Sequence, residues 1–263
     1  MKLSDYIISR IEPLTKEIFL IPGGGCIHLV DSLGKSSIKP IPNLHEQASS
    51  VCAESYAQYT NKLGVALVTT GPGSTNALTG VASAWLDSIP LLLITGQVQN
   101  KDRVGNRGVR QMGFQEINTV EIYKGITKYA VTVDDPKMIK YHLNRAIFEA
   151  TNGRPGPVVL DIPLDIQASE IEPEILRDFY PQTPKYDLSK VPNILECLNK
   201  AKRPIILAGN GVRLADALPE FHQFIEITGI PVLTTWKSLD FVDENHPQYV
   251  GRPGGVGQRG ANF

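Results

Sequence analysis

The chain has 263 residues, with 26 Lys and Arg against 27 Asp and Glu, a formal net charge of -1, and 42% hydrophobic residues. That balance offers no basic excess to neutralise nucleic-acid phosphates, and no apolar run approaches the roughly 20 residues that span a bilayer. Asp5 stands where a secretory signal would place its apolar stretch. Cys26, Cys52 and Cys197 are odd in number with no CxxC pair, which disfavours a disulfide framework or structural zinc and makes a cytoplasmic, reducing setting the default.

Ile18 to Ile21 predicts a short strand, closed by Pro22-Gly23-Gly24-Gly25. Ile38 to Leu44 predicts a second, and Pro40 and Pro42 put it at an edge or a twisted end. From Glu46 to Tyr59, Ala48, Val51, Cys52, Ser55, Tyr56 and Tyr59 recur at helical spacing, with Gly64 beyond. Val65 to Thr69 is a buried strand, followed by Gly71-Pro72-Gly73-Ser74-Thr75-Asn76 and a helix through Trp85. Leu91 to Thr95 is another buried strand, and a long polar loop then runs from Gln97 to Gln115. Thr127 to Val133 predicts a strand, Pro136 to Thr151 a helix, and Val158 to Asp161 a strand. Unbroken apolar strands alternating with helices argue for a doubly wound α/β fold, a parallel sheet covered on both faces.

The segment from Ile166 to Val191 is rich in Pro and charge and is expected to be an interdomain linker. The rhythm then restarts, with a helix over Pro192–Lys200, a strand over Pro204–Ala208, a turn at Gly209-Asn210-Gly211, a helix over Asp216–Thr228 and a strand over Pro231–Thr234. The expected organisation is a domain over 1–167, a linker over 168–190 and an incomplete α/β domain over 191–263. This remainder is short against the roughly 100–150 residues of a typical domain, so the chain is expected to be a fragment of a longer polypeptide.

Four pieces follow successive strands and so share one rim of the sheet, where open α/β folds bind ligands. Glu46 follows a predicted strand and opens a helix; on position alone it reads first as a helix-start carboxylate favoured by the macrodipole. Thr70-Gly71-Pro72-Gly73-Ser74-Thr75-Asn76 lets a ligand approach the backbone, or is a tight strand-to-helix turn. It is neither GxGxxG nor a P-loop, which argues against a nicotinamide-dependent dehydrogenase. Pro22-Gly23-Gly24-Gly25 has the same two readings. The loop from Gln97 to Gln115 carries Lys101, Arg103, Arg107 and Arg110; long loops are often functional, and charged loops are often merely solvated.

The succession of Ile21-Pro22-Gly23-Gly24, His45-Glu46-Gln47-Ala48, Thr70 to Asn76, Asp87-Ser88-Ile89-Pro90, Ile94-Thr95-Gly96-Gln97, Phe114-Gln115-Glu116, Gly153-Arg154-Pro155-Gly156-Pro157 and Asp161-Ile162-Pro163 resembles the thiamine diphosphate enzymes of the acetolactate synthase type. The resemblance covers the pyrimidine-binding domain, 1–167, and from Val191 onward the start of the central domain. It implies thiamine diphosphate as cofactor, contacted by Pro22, Gly23, Gly24, Glu46, Thr70, Gly71, Pro72, Gly73 and Asn76. Glu46 matches the glutamate that hydrogen-bonds N1′ of the aminopyrimidine and promotes proton removal from the thiazolium C2, and it should stand in a largely apolar pocket. Phe114 and Gln115 match a pair lining the substrate pocket, with Gln115 hydrogen-bonding a substrate oxygen. Lys128 resembles a lysine near the cleft, and is equally read as a surface lysine beside a strand. His45 is given no chemistry beyond local hydrogen bonds, and Met112 is read as a packing residue.

The implied reaction is decarboxylation of a 2-oxo acid such as pyruvate and transfer of the enamine to a second carbonyl acceptor, the first step of branched-chain amino acid synthesis. No metal ligand is assigned here: Mg2+ and the diphosphate are expected on a C-terminal domain beyond this chain, and FAD is left open. A homodimer or homotetramer is implied, with room for a regulatory subunit, and the fragment alone should be inactive. Leu44 stands where these enzymes usually carry arginine, the loop between Gln97 and Phe114 is longer than theirs, and Gly251-Arg252-Pro253-Gly254 replaces a segment that touches FAD. Other readings are a 2-oxo acid decarboxylase, two-carbon transfer to a nucleotide-linked sugar, and a non-catalytic scaffold subunit.

Overall fold

The computed structural model describes residues 1–182 and 187–263, which form two compact units divided between Thr183 and Pro184. The first unit opens with α1 (Leu3–Ile11), a helix the sequence reading had not picked out, although Leu3, Ile7 and Ile11 recur every fourth residue and are fully buried. Then follow β1 (Glu17–Leu20), a helical turn over Gly24–Cys26, α2 (Ile27–Leu33), β2 (Lys39–Pro42), α3 (Glu46–Thr60) and β3 (Gly64–Val68). Next come α4 (Pro72–Asn76), α5 (Leu78–Asp87), β4 (Leu91–Gln97), α6 (Thr119–Tyr123), β5 (Tyr129–Thr132), α7 (Ile139–Thr151), β6 (Pro157–Pro163) and α8 (Leu164–Gln167).

The strands lie in the order β2-β1-β3-β4-β6-β5, and every neighbouring pair is parallel. β3, β4 and β6 are buried along their whole length, which is why their sequences lack polar alternation. Alternate side chains enter opposite cores. Val65, Leu67, Leu92, Ile94, Val158 and Leu160 pack with α1, α2 and α7, whereas Ala66, Val68, Leu91, Leu93 and Val159 pack with α3, α5 and Tyr123. β2 is an edge strand, as Pro40 and Pro42 require.

The expected linker does not begin at residue 168. Ile171 is buried in the first core, Leu176 packs against it, and the Phe179 ring meets Tyr141 and Phe148 of α7 with centroids 5.6 Å away in each case. Asp178 accepts from Asn144 and pairs with Lys140 at 3.2 Å. Scattered apolar residues clamp this stretch onto the unit without helical or strand periodicity. The strand-like entry and exit are joined: Leu3 N donates to Ser169 O at 2.8 Å and Ile171 N to Met1 O at 2.9 Å, an isolated antiparallel bridge. Residues 183–186 of the expected linker lie outside the described residues.

The second unit contains α9 (Val191–Lys200), β7 (Ile206–Ala208), α10 (Gly211–Leu214), α11 (Leu218–Thr228), β8 (Val232–Thr234), β9 (Tyr249–Gly251) and α12 (Arg259–Asn262). Its parallel sheet β7-β8-β9 packs around Ala208, Phe221, Ile225, Val232, Phe241 and Val242. β9 was not expected, because three residues beside a glycine-rich run carry little strand signal. No described helix is long and apolar enough to cross a membrane.

Candidate active site

Chain segments leaving the carboxyl ends of β1, β3 and β4 surround a cleft of about 530 Å³. Gly23 and Gly24 follow β1, Thr70 follows β3, and Phe114 and Gln115 come from the long loop after β4; all five line the cleft. Pro22 is exposed one residue before this turn. The loop also contributes Gln97, Val98, Gln99, Asp102, Met112 and Gly113, and Leu164 closes one side. Met112 is therefore not a packing residue: it is half-exposed at the cleft, where Arg107 donates to its Sδ.

The glycines make the space. A Cβ on Gly23 would strike the Thr69 side chain, and one on Gly25 would overlap Thr70 Oγ1. Thr69 Oγ1 accepts from Gly25 N at 3.1 Å, while Thr70 Oγ1 is buried without a partner among the described residues. A buried hydroxyl normally finds a hydrogen bond, so this orphan beside a Cβ-free turn suits a polar ligand.

Beside the cleft, Glu46 opens α3. His45 caps that helix with Nδ1, which accepts from Gln47 N at 3.1 Å, the local role expected of it. Asn76, the last residue of α4, donates Nδ2 to Glu46 Oε2 at 2.9 Å. Among the described residues no hydrogen bond reaches Oε1. That oxygen lies 3.6 Å from where a Cβ on residue 73 would sit, and Gly73 leaves the space open; the same Cβ would also crowd Thr69, so the carboxylate and the cleft wall share a border. Glu46 is half-buried, so the apolar enclosure expected for it is not supplied by this chain's described residues.

Gly71 is buried with φ +63°, and the Gln115 carbonyl occupies the space its Cβ would need. Gln115 itself is left-handed, φ +57°. This backbone contact ties the loop after β4 to the loop after β3. Pro72 starts α4, where its missing N–H costs nothing.

Polar residues that the sequence reading left without a role hold these loops. The buried Asp161 carboxylate accepts from Thr95 Oγ1 at 2.7 Å, Gln97 Nε2 at 3.2 Å and Thr132 Oγ1 at 3.0 Å, joining β4, β5 and β6. Burial pushes its carboxyl above the ordinary range against the opposing pull of those bonds. Gln167 Nε2 donates at 2.7 Å to both Gly25 O and Ile162 O, pinning the glycine turn to β6. Glu116 accepts from Val104 N at 2.6 Å and from Met112 N and Gly113 N at 3.1 Å each. Burial would raise its carboxyl, but these three bonds and the Arg103 charge outweigh it and hold the group below the usual range. The available signal was positional: Gln97 and Asp161 are polar groups at the carboxyl ends of buried strands.

Lys128 does not belong to this site. It directly precedes β5, at the amino end of the strands and so on the rim opposite the cleft. Its Nζ donates to Asn152 O at 2.8 Å, and burial lowers its pKa.

Residues 1–122 match the family described as thiamine pyrophosphate enzyme, N-terminal TPP binding domain, and residues 191–263 match thiamine pyrophosphate enzyme, central domain. The acetolactate synthase large subunit of Corynebacterium glutamicum is 37% identical over 254 residues, covering 94% of this chain and 40% of the relative. That of Lactococcus lactis is 35% identical over 266 residues, covering 99% and 45%. The acetolactate synthase isozyme 2 large subunit of Escherichia coli is 34% identical over 246 residues, covering 94% and 44%. The chain thus spans under half the length of the curated relatives it matches. By these matches and by its sheet, loops and glutamate, the chain belongs to the thiamine pyrophosphate enzymes.

Proposed function

We propose that these residues form the aminopyrimidine side of a thiamine diphosphate site, in a protein that decarboxylates a 2-oxo acid and joins the resulting unit to a second carbonyl compound, as acetolactate synthases do. The observation that carries this reading is the Glu46 carboxylate, with Oε2 held by Asn76 and Oε1 open beside Gly73. Thiamine diphosphate, when bound, would supply an acidic thiazolium carbon as the nucleophilic centre for a substrate carbonyl. Glu46 Oε1 would then hold a proton shared with N1′ of the aminopyrimidine, a positioned acid–base role. Gly73 would let the ring approach the backbone, Gly71 would hold the Gln115 loop against it, and the unpartnered Thr70 hydroxyl would offer a hydrogen bond. Gly23 and Gly24 keep the substrate's path free of side chains, and Phe114 and Gln115 border that path, the Gln115 amide orienting a substrate oxygen.

Mg2+ and the diphosphate belong, in this reading, to residues outside this chain. Another subunit covers the exposed side of Glu46, so the active protein is a cytoplasmic homo-oligomer, open to FAD and to a regulatory subunit, and the isolated chain is inactive. The experiment is hydrogen–deuterium exchange at C2 of bound thiamine diphosphate, measured by NMR on the full-length protein with Mg2+. Glu46→Gln should slow it by about 10²–10⁴-fold, the range for a positioned acid–base group. Near-normal exchange would overturn the assignment.

One observation favours a second reading of the acceptor. Arg107, which touches the cleft-lining Met112, bonds backbone carbonyls and that thioether, and no carboxylate among the described residues. That leaves positive charge near the mouth for an acceptor bearing extra negative charge, such as a nucleotide-linked sugar. Product analysis with pyruvate alone, and with pyruvate plus such an acceptor, separates the two.

A further inference from the structure

The segment between β4 and α6 supplies half of the cleft lining, yet its regular structure is a single helical turn over Asn100–Asp102. Side chains must therefore hold its shape. Glu116 is placed to do so, because its two oxygens reach both limbs of the loop: Oε1 takes the Val104 N–H and Oε2 takes those of Met112 and Gly113. Bonds to an ionised carboxylate are roughly twice as strong as neutral ones. The backbone turn Gly113–Glu116 is closed by Glu116 N donating to Gly113 O at 3.2 Å. Within that turn Gln115 is left-handed, a conformation that strains a non-glycine residue. Such strain persists only where neighbouring contacts over-determine it. Here those contacts are the Gly71 backbone on one side and the three-bond carboxylate on the other.

We propose that Glu116 is a positioning residue, a carboxylate clip that joins the limbs of the loop and thereby sets Phe114 and Gln115 in the geometry that receives the carbonyl substrate. It does not line the cleft and touches no reacting atom. A glutamine cannot replace it, because Nε2 would face an N–H donor and one limb would be released. Aspartate is one methylene short of bridging both limbs. The proposal rests on the reading of Glu46 for its kinetic arm only; the clip itself is read without cofactor.

The test uses the full-length protein carrying Glu116→Gln, with Glu116→Asp as a second variant should the first fold poorly. Amide hydrogen exchange by mass spectrometry, without cofactor, should speed about tenfold or more in peptides covering 104–113 while β3 and β4 stay protected. With thiamine diphosphate and Mg2+, KM for pyruvate should rise about tenfold or more, and C2 hydrogen exchange should stay within about twofold of the parent. Unchanged amide exchange together with unchanged KM would overturn the clip. A fall in C2 exchange parallel to kcat/KM would also overturn it, by putting Glu116 in the proton-transfer machinery. If Glu46→Gln leaves C2 exchange intact, the cofactor reading fails, and the amide-exchange arm still decides the clip.

Discussion

Asn76 and Glu46 meet across 30 residues of sequence through one hydrogen bond, Nδ2 to Oε2 at 2.9 Å. One residue ends α4 and the other opens α3, so the carboxylate is aimed by an amide on a neighbouring helix as well as by its own backbone. Its first consequence concerns rate. Asn76→Ala removes a bond to a charged group, worth about 1.5–3 kcal/mol, and leaves the carboxylate free to swing. C2 hydrogen exchange in the full-length protein should fall about tenfold, well short of the loss expected for Glu46→Gln. An unchanged rate would show that the amide does not orient the acid.

Gly71 and Gly105 form a matched pair for the loop contact. Both have positive φ, +63° and +50°, but a Cβ at Gly105 meets open space while one at Gly71 meets the Gln115 carbonyl. Gly105→Ala should cost about 1 kcal/mol from backbone strain alone. Gly71→Ala should cost at least about 1 kcal/mol more, because strain and overlap add. Urea unfolding midpoints of the two variants measure the difference, and equal midpoints would contradict the close approach.

Ile171 tests where the first unit ends. It is 7% exposed and packs in the core with α1 and α7. Ile171→Ala should destabilise the unit by about 2–4 kcal/mol, the usual cost of truncating a buried isoleucine. A residue in a solvated linker would show a change within about 0.5 kcal/mol. Chemical denaturation followed by circular dichroism distinguishes these results.

His142 gives the unit a defined response to acid. Tyr129 Oη lies 2.6 Å from its Nδ1, and Arg145 stacks over the Tyr129 ring at 4.4 Å. Burial lowers the imidazole pKa; Arg145 and Arg177 add to this, and Asp134 and Asp135 oppose it. Above the unfolded value of about 6.5 the ring is neutral in both states and contributes no pH dependence. As pH falls below that value the unfolded chain binds a proton that the folded unit resists, so stability declines. His142→Gln should remove this part of the decline, making the shift in urea midpoint between pH 7.5 and 5.5 smaller than in the parent. An equal shift in both would rule the histidine out.

Much of the scaffold was legible because burial writes itself into composition. β3, β4 and β6 read as unbroken apolar runs, Pro40 and Pro42 announced an edge, and the start of α3 at Glu46 was visible from its periodicity. The first helix is equally legible in the four-residue spacing of Leu3, Ile7 and Ile11. Residues 168–182 were not, because Ile171, Leu176 and Phe179 are single anchors whose partners lie on α1 and α7. At the site, glycine turns and Glu46 declared themselves by following strands. Lys128 misled because it precedes its strand, and one step before a parallel strand is the far rim. Glu116 carried no local signal: its importance comes from three N–H groups that converge only after the loop has folded.

The antiparallel bridge between Lys2 and Glu170 fastens the start of the first unit to the stretch that leads from α8 towards Phe179. A shortened version that stops at residue 167 would lose this seam together with the Ile171, Leu176 and Phe179 anchors. A cut that isolates the unit intact must therefore fall beyond Phe179.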